Sequence, residues 1–223
     1  MTFHIITLFP KAFDSYLKES ILKRAIEDEK IAVRFYNPRD FAEDKRARVD
    51  RSPYGGGPGM IIQALPVIKA IEKAIDRSQK KREKNKRVKI IFLNPGGRQF
   101  TNEFARKTSR GYSDIIVVCG RYEGIDSRVK KVFSTSWRTD EISIGPFVLT
   151  GGELPAMILI DVISRQKKGI LGNFKSIEEK RIASHDVYTR PESFAYKGKK
   201  YAVPKILLSG HHRRIEEWKR RRT

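Results

Sequence analysis

The chain is predicted to be an α/β protein built on a mostly parallel sheet, and two patterns in its 223 residues carry that prediction. Apolar runs of strand length (FHIITLF at 3–9, VKIIFLNP at 88–95, DIIVVCG at 114–120) alternate with stretches of helical apolar spacing. Strands alternating with helices are joined by crossovers, which leave neighbouring strands parallel. Three loops, LNPGG at 93–97, CGRYEG at 119–124 and IGPFVLTGG at 144–152, are rich in glycine. They would bring bare backbone to the carboxyl edge of the sheet, where such sheets bind ligands.

Taken in order, Pro10 closes the first strand, and Phe13, Leu17, Ile21, Leu22 and Ile26 recur at helical spacing, predicting a helix over 11–29. IAVRFYN at 31–37 is a second strand, closed by Asn37-Pro38. The polar loop that runs on to Met60 is too long for a mere connection and is expected to be functional. Its GGGPG at 55–59 follows no strand, so it is not a nucleotide fingerprint. Leu65, Ile68, Ile71 and Ile75 line one face of the next helix. RSQKKREKNKR at 77–87 then reads as a solvated, mobile excursion. After the strand at 88–95 a short helix begins near Thr101, and after 114–120 another runs through Val132.

The stretch SIGPFVLTGGELP at 143–155 is expected to hold a strand, two sharp bends and the start of a helix. That helix, AMILIDVI at 156–163, is apolar on almost every face and therefore expected to be buried. Its Asp161 needs partners, from a polar network or across a subunit interface. Beyond Ile163 the composition turns polar and basic. The expected organisation is a domain over 1–164, a linker over 165–187 and a small C-terminal domain over 188–223, the last mainly helical through KILLSG and a basic terminal helix with Ile215 and Trp218.

The net charge of +21 points to a polyanionic partner, nucleic acid first, although solubility and lineage bias also produce such an excess. No apolar run reaches the ~18 residues of a spanning helix, which argues against a membrane. MTFHIITLFP reads as a strand and not a secretory leader, so the cytoplasm is the expected compartment. Cys119, the only cysteine, follows a strand and is expected to be a buried thiol. The four histidines have no metal-ligand spacing, so no protein metal site is predicted.

NPRDF, PYGGGPGM, CGRYEGID, SIGPFVLTGGELPAMILID, YTRPE and LSGHH stand in this order along nearly the whole chain. Together they resemble the bacterial tRNA (guanine-N1)-methyltransferase family, often called TrmD-type. The resemblance implies a SPOUT fold with a deep trefoil knot, a homodimer, S-adenosylmethionine as methyl donor and N1 of tRNA guanine 37 as acceptor. It places the donor against Phe92, Leu93, Asn94, Pro95 and Gly97; Gly120, Tyr122 and Glu123; and Ile144, Gly145, Pro146, Phe147, Val148, Leu149, Gly151, Gly152 and Pro155. It makes Arg165 the catalytic arginine and suggests an assisting magnesium ion, for which no ligand set can be read. Where the family carries its general-base aspartate, directly after a Glu-Glu pair, this chain has Lys180.

Methylation at guanine N1 needs a carboxylate to take the N1 proton and a cation to stabilise charge on O6. Arg165 fits the second role, with a phosphate contact or a solvent-facing linker residue as the alternative. Glu179 is the expected base, with Glu178 and Asp186 as rivals and an exposed linker position as the bland reading. Tyr188, Arg190, His211, His212 and the terminal KRRR suit tRNA contacts, or simply the exposed side of a helix packed through Trp218. Two other functions remain open at this stage: an RNA-binding homologue that keeps the donor pocket without catalysis, and a related knotted methyltransferase acting on ribosomal RNA.

Overall fold

A computed structural model describes residues 1–79, 87–171 and 186–220. The chain divides into two compact units, Met1–Leu171 and Gly172–Thr223. The first unit therefore runs past residue 164, where the sequence reading set its boundary. Of the expected linker, residues 172–185 lie outside the described ones.

The first unit is a parallel five-stranded sheet: β1 (Thr2–Ile6), β2 (Ala32–Tyr36), β5 (Val88–Gln99), β6 (Asp114–Val118) and β7 (Arg138–Ser143), in the order β2-β1-β6-β5-β7. Alternate residues of the central strands feed two cores. On one face Phe3, Ile5, Ile91, Ile115 and Val117 are covered by α1 (Asp14–Leu17), α2 (Ser20–Glu27), α4 (Asn102–Gly111) and α6 (Glu153–Arg165). On the other, Ile6, Ile90, Ile116 and Val118 meet α3 (Ala64–Gln79) and α5 (Arg128–Ser134).

The connections out of β5 and β6 create the functional edge. α4 returns the chain from β5 to β6 over one face, and α5 then carries it from β6 across β5 to β7 over the other. The path across the sheet thus reverses at β6, and the loops leaving β5 and β6 part to opposite faces, the kind of switch point beside which ligands bind in parallel sheets.

Several elements differ from the sequence reading. The helix expected over 11–29 is a 3-10 turn at Pro10–Phe13 followed by α1 and α2, and the break falls at Ser20, whose φ is +48°. The loop before Met60 includes a 3-10 turn at Pro38–Phe41, and β3 (Asp50–Arg51) pairs antiparallel with β4 (Ile61–Ile62). β5 continues to Gln99 through a bulge in which Leu93 and Arg98 both face Ile142. The strand expected inside 143–155 instead precedes it as β7. α6 is buried along one side only, since Met157, Ile158 and Val162 are half-buried and Leu154 is exposed. Of the basic run, Ser78 and Gln79 belong to α3 with Arg77, and residues 80–86 lie outside the described ones.

The described residues of the second unit add a short ribbon to the expected helices. The unit holds a two-stranded ribbon, β8 (Ser193–Tyr196) with β9 (Lys199–Ala202), then α7 (Lys205–Leu208) and α8 (His212–Arg220). Tyr188 packs near Trp218, with ring centroids 6.3 Å apart.

A buried polar chain crosses the first sheet. Tyr36 hydroxyl lies 2.9 Å from His4 Nδ1, His4 Nε2 lies 3.0 Å from Asp114 Oδ1, and Ser113 Oγ donates to Asp114 Oδ2 at 2.8 Å. Burial raises the Tyr36 pKa, so its phenol stays protonated and able to hydrogen-bond. Replacing Asp114→Ala strands buried partners on either side. Urea unfolding is expected to record a loss of about 1–3 kcal/mol, against less than about 1 kcal/mol for Ser113→Ala.

Candidate functional site

The three glycine-lined loops meet at the carboxyl edge around β5, β6 and β7. They enclose a cavity of about 580 Å³, inside the range usual for sites that hold a small organic ligand. Its wall combines apolar groups (Leu93, Ile125, Ile142, Ile144, Phe147, Leu149, Pro155) with Asn94, Glu123, Asp126, Thr150 and the backbone of Gly120, Gly151 and Gly152.

Of the seventeen positions named in advance, all but Gly97, Gly145 and Pro146 line this cavity. Gly97 lies instead against the backbone of Glu141 and Ile142. Gly145 is buried, its carbonyl accepting from Ser143 Oγ at 2.9 Å. Pro146 is exposed. Phe147 and Val148 project into solvent, with 52% and 82% of their surface exposed, so the cavity's outer rim is apolar and uncovered.

Backbone contacts hold the loops together. Gly152 N donates to Gly120 O at 2.8 Å, and a Cβ on Gly152 would stand 2.6 Å from Cys119 Cα. No larger residue fits there without parting the two loops. The polar loop through 55–59 reaches the same rim: Gly59, at φ +85°, lies on the Glu123 side chain, and Glu123 N donates to Met60 O at 3.0 Å.

Sequence reasoning missed the ionic clamp beneath these loops. Glu153, in the first turn of α6 and 3% exposed, accepts from Thr7 Oγ1 at 2.7 Å and from Arg121 Nε at 2.9 Å. Arg121 also donates to Thr150 O at 3.2 Å and lies over the Phe9 ring, 4.5 Å from its centroid. A carboxylate at the mouth of an apolar helix was the available signal, because burying it demands a partner. The α6 N-terminus favours the same negative charge. Cys119 sits just below, and burial, reinforced by Glu153 and opposed by Arg121, pushes its thiol pKa well above the ordinary range.

Arg165, the catalytic candidate that falls in the first unit, does not line this cavity within one chain. Arg165 is the last residue of α6, roughly 15 Å along the helix from Pro155 at the cavity wall. Glu178, Glu179 and Lys180 lie outside the described residues, and Asp186 is an exposed residue of the second unit. Asp161 is half-buried and accepts a hydrogen bond from the Tyr16 hydroxyl, whose pKa that bond raises. Among the described residues no three His, Cys, Asp or Glu side chains converge to hold a metal ion, so they offer no protein cage for magnesium.

Comparison with known proteins places this geometry in context. The family described as tRNA (Guanine-1)-methyltransferase TrmD matches residues 1–223. The tRNA (guanine-N(1)-)-methyltransferase of Clostridioides difficile (strain 630) is 44% identical over 224 residues, covering 99% of this chain and 91% of that protein. Its namesake in Dehalococcoides mccartyi (strain CBDB1) is 42% identical over 225 residues, covering 99% and 85%. That of Citrifermentans bemidjiense is 44% identical over 225 residues, covering 99% and 84%.

Two measurements test the clamp. Glu153→Ala leaves a largely buried guanidinium without its carboxylate and is expected to cost about 2–4 kcal/mol in chemical denaturation. The Cys119 thiol should stay unreactive toward an aromatic disulfide reagent in the native protein, even at alkaline pH. The sign of the linked stability follows. At low pH the thiol is protonated in both states. Above the ordinary thiol pKa only the unfolded chain releases its proton, so this residue lowers stability as pH rises.

Proposed function

The chain belongs to the tRNA (guanine-N1)-methyltransferase family, and from that premise we propose that it transfers the methyl group of S-adenosylmethionine to N1 of guanine 37 in tRNA. The observation that carries this reading is the meeting of loops 93–97, 119–124 and 144–152 around one nucleoside-sized cavity.

S-adenosylmethionine supplies an electrophilic methyl on a sulfonium and leaves as S-adenosylhomocysteine. The chain's own contribution is to hold and orient, which in an in-line displacement accounts for much of the rate. Leu93, Ile144, Phe147, Leu149 and Pro155 offer apolar surface to the adenosyl group, and Gly120 and Gly151 let it approach the backbone without a side chain in the way. The new bond joins N1 to the methyl carbon as the sulfur–methyl bond breaks, and the N1 proton passes to a carboxylate. Glu179 is the residue proposed for that transfer, with Arg165 stabilising O6. Lys180 at the family's aspartate position is the one feature that speaks for a second reading, an RNA-binding homologue without catalysis, which the full-length similarity to methyltransferases does not favour.

The length of α6 supports a homodimer. Arg165 is too far from its own chain's cavity, whereas a second copy packed on the outer side of α6 brings Arg165 of the partner subunit to it. That side carries Leu154, Met157, Ile158 and Val162, and the hydrogen bond from Tyr16 to Asp161 joins it to α1. A half-exposed apolar face of this kind marks an interface. In this reading the loops of the first unit form the trefoil knot and the second unit binds tRNA, through residues that include Tyr188, Arg190, His211 and His212. The enzyme works in the cytoplasm with its tRNA substrate. No helix among the described residues is long and apolar enough to cross a membrane.

Labelled methyl transfer to a guanine-37 tRNA transcript tests the activity, and transcript binding without transfer would favour the non-catalytic reading. Arg165→Ala is expected to slow single-turnover transfer by about 10²–10³-fold, and full activity in Glu179→Gln would remove that residue as the base. Ile158→Asp should give monomers by light scattering, inactive despite an intact cavity. Mixing Arg165→Ala subunits with Gly152→Val subunits should restore transfer, since each heterodimer regains one complete site.

A further inference from the structure

The ribbon of the second unit has no part in the chemistry above. β8 and β9 are joined by Lys197-Gly198, with φ of +47° and +71°, as a type I′ hairpin turn requires. Phe194 pairs with Tyr201 and Tyr196 with Lys199. Residues paired across a ladder, and residues two apart on a strand, share a face. Phe194, Tyr196, Lys199 and Tyr201 therefore stand on one side of the ribbon.

That side is open to solvent: Phe194, Tyr196 and Tyr201 are 58%, 59% and 43% exposed. The rings of Phe194 and Tyr201 stack with centroids 5.5 Å apart and planes 17° from parallel. Lys199 Nζ lies 5.6 Å from the Tyr201 centroid and Lys197 Nζ 5.5 Å from that of Tyr196. Residues 193–202 hold three lysines and no acid. Lys197 occupies a left-handed conformation that L side chains adopt at a cost, and its ammonium lies over a ring.

A two-stranded ribbon gains little stability by itself, and the cross-strand pair of Phe194 with Tyr201 adds only modestly to it, which does not account for three exposed rings. Exposed rings interleaved with cations are the composition that binds unpaired nucleic acid, in which bases stack on the rings and phosphates meet the cations. Paired bases present no free face to such a surface.

We propose that the β8–β9 ribbon is a stacking platform for unpaired RNA bases, with Phe194, Tyr196 and Tyr201 as the platform and Lys197 and Lys199 on the flanking phosphates. It rests on the tRNA methyltransferase reading for the identity of the RNA, an unpaired segment of the substrate. The ribbon is a binding surface separate in sequence from the residues that line the donor cavity.

The test uses the full chain with three probes: a tRNA transcript, a short unpaired RNA oligonucleotide and a blunt RNA duplex. The parent should bind the unpaired oligonucleotide more tightly than the duplex. Replacing all three rings by leucine (Phe194→Leu, Tyr196→Leu, Tyr201→Leu) keeps apolar bulk but removes stacking. That variant should bind the transcript about 10–100-fold more weakly while taking up S-adenosylhomocysteine as the parent does. Lys197→Gln with Lys199→Gln should reduce the slope of log affinity against log salt by about 1.4.

Parent-like transcript affinity in the leucine variant overturns the proposal. So does an altered oligomeric state in light scattering with RNA affinity unchanged, which would mean that a second copy of the chain covers the ribbon. If the leucine variant does not fold, the lysine variant decides, and an unchanged salt slope overturns the proposal. A parent that methylates the transcript while the leucine variant binds it normally sinks the platform alone. A parent that binds unpaired RNA through the ribbon but transfers no methyl sinks the enzymatic reading alone.

Discussion

The carboxylate of Glu153 is the constraint on which the functional edge depends. It is buried, so it must be compensated, and the groups that compensate it come from three places: Thr7 after β1, Arg121 after β6, and the amino end of its own helix. Satisfying one charge therefore locks the end of β1, the middle glycine loop and the start of α6 into one arrangement. Gly152 adds the steric half of the same lock, since its backbone lies against Cys119 and Gly120. The cavity wall is rigid for these two reasons.

Such a wall suits displacement chemistry, in which holding two reactants in line matters more than covalent participation. The apolar rim at Phe147 and Val148 and the half-exposed side of α6 leave one chain with uncovered apolar surface at both ends of the same helix. α6 begins at the cavity and ends at Arg165. In the proposed homodimer a second copy would cover the outer side of that helix and bring Arg165 of the partner subunit toward the cavity, so one packing would serve both needs.

The charge of +21 is spread over both units. In the second unit it accompanies exposed rings instead of a core, and Lys197 and Lys199 lie over those rings without carboxylate partners in the ribbon itself. That pairing of cation and aromatic face distinguishes a binding surface from a merely solubilising one. It was hidden from sequence reading because the turn is Lys-Gly and not the Asn-Gly or Asp-Gly pair that announces a hairpin. β7 was missed for a related reason: RTDEIS is polar for most of its length, and it becomes a strand because β5 offers it a partner.

By itself the sequence determined what short-range chemistry controls. The apolar runs had to become buried parallel strands, and the glycine-rich stretches had to become places of close backbone approach, because both outcomes depend chiefly on residue types a few positions apart. The collinear blocks carried the family. Only the tertiary structure decided which distant groups meet: Glu153 finds Arg121 32 residues away and Thr7 146 residues away, and no local pattern encodes such pairings. It also decided that α6 separates Arg165 from the cavity, since a helix rises about 1.5 Å per residue and its far end lies beyond the reach of a side chain.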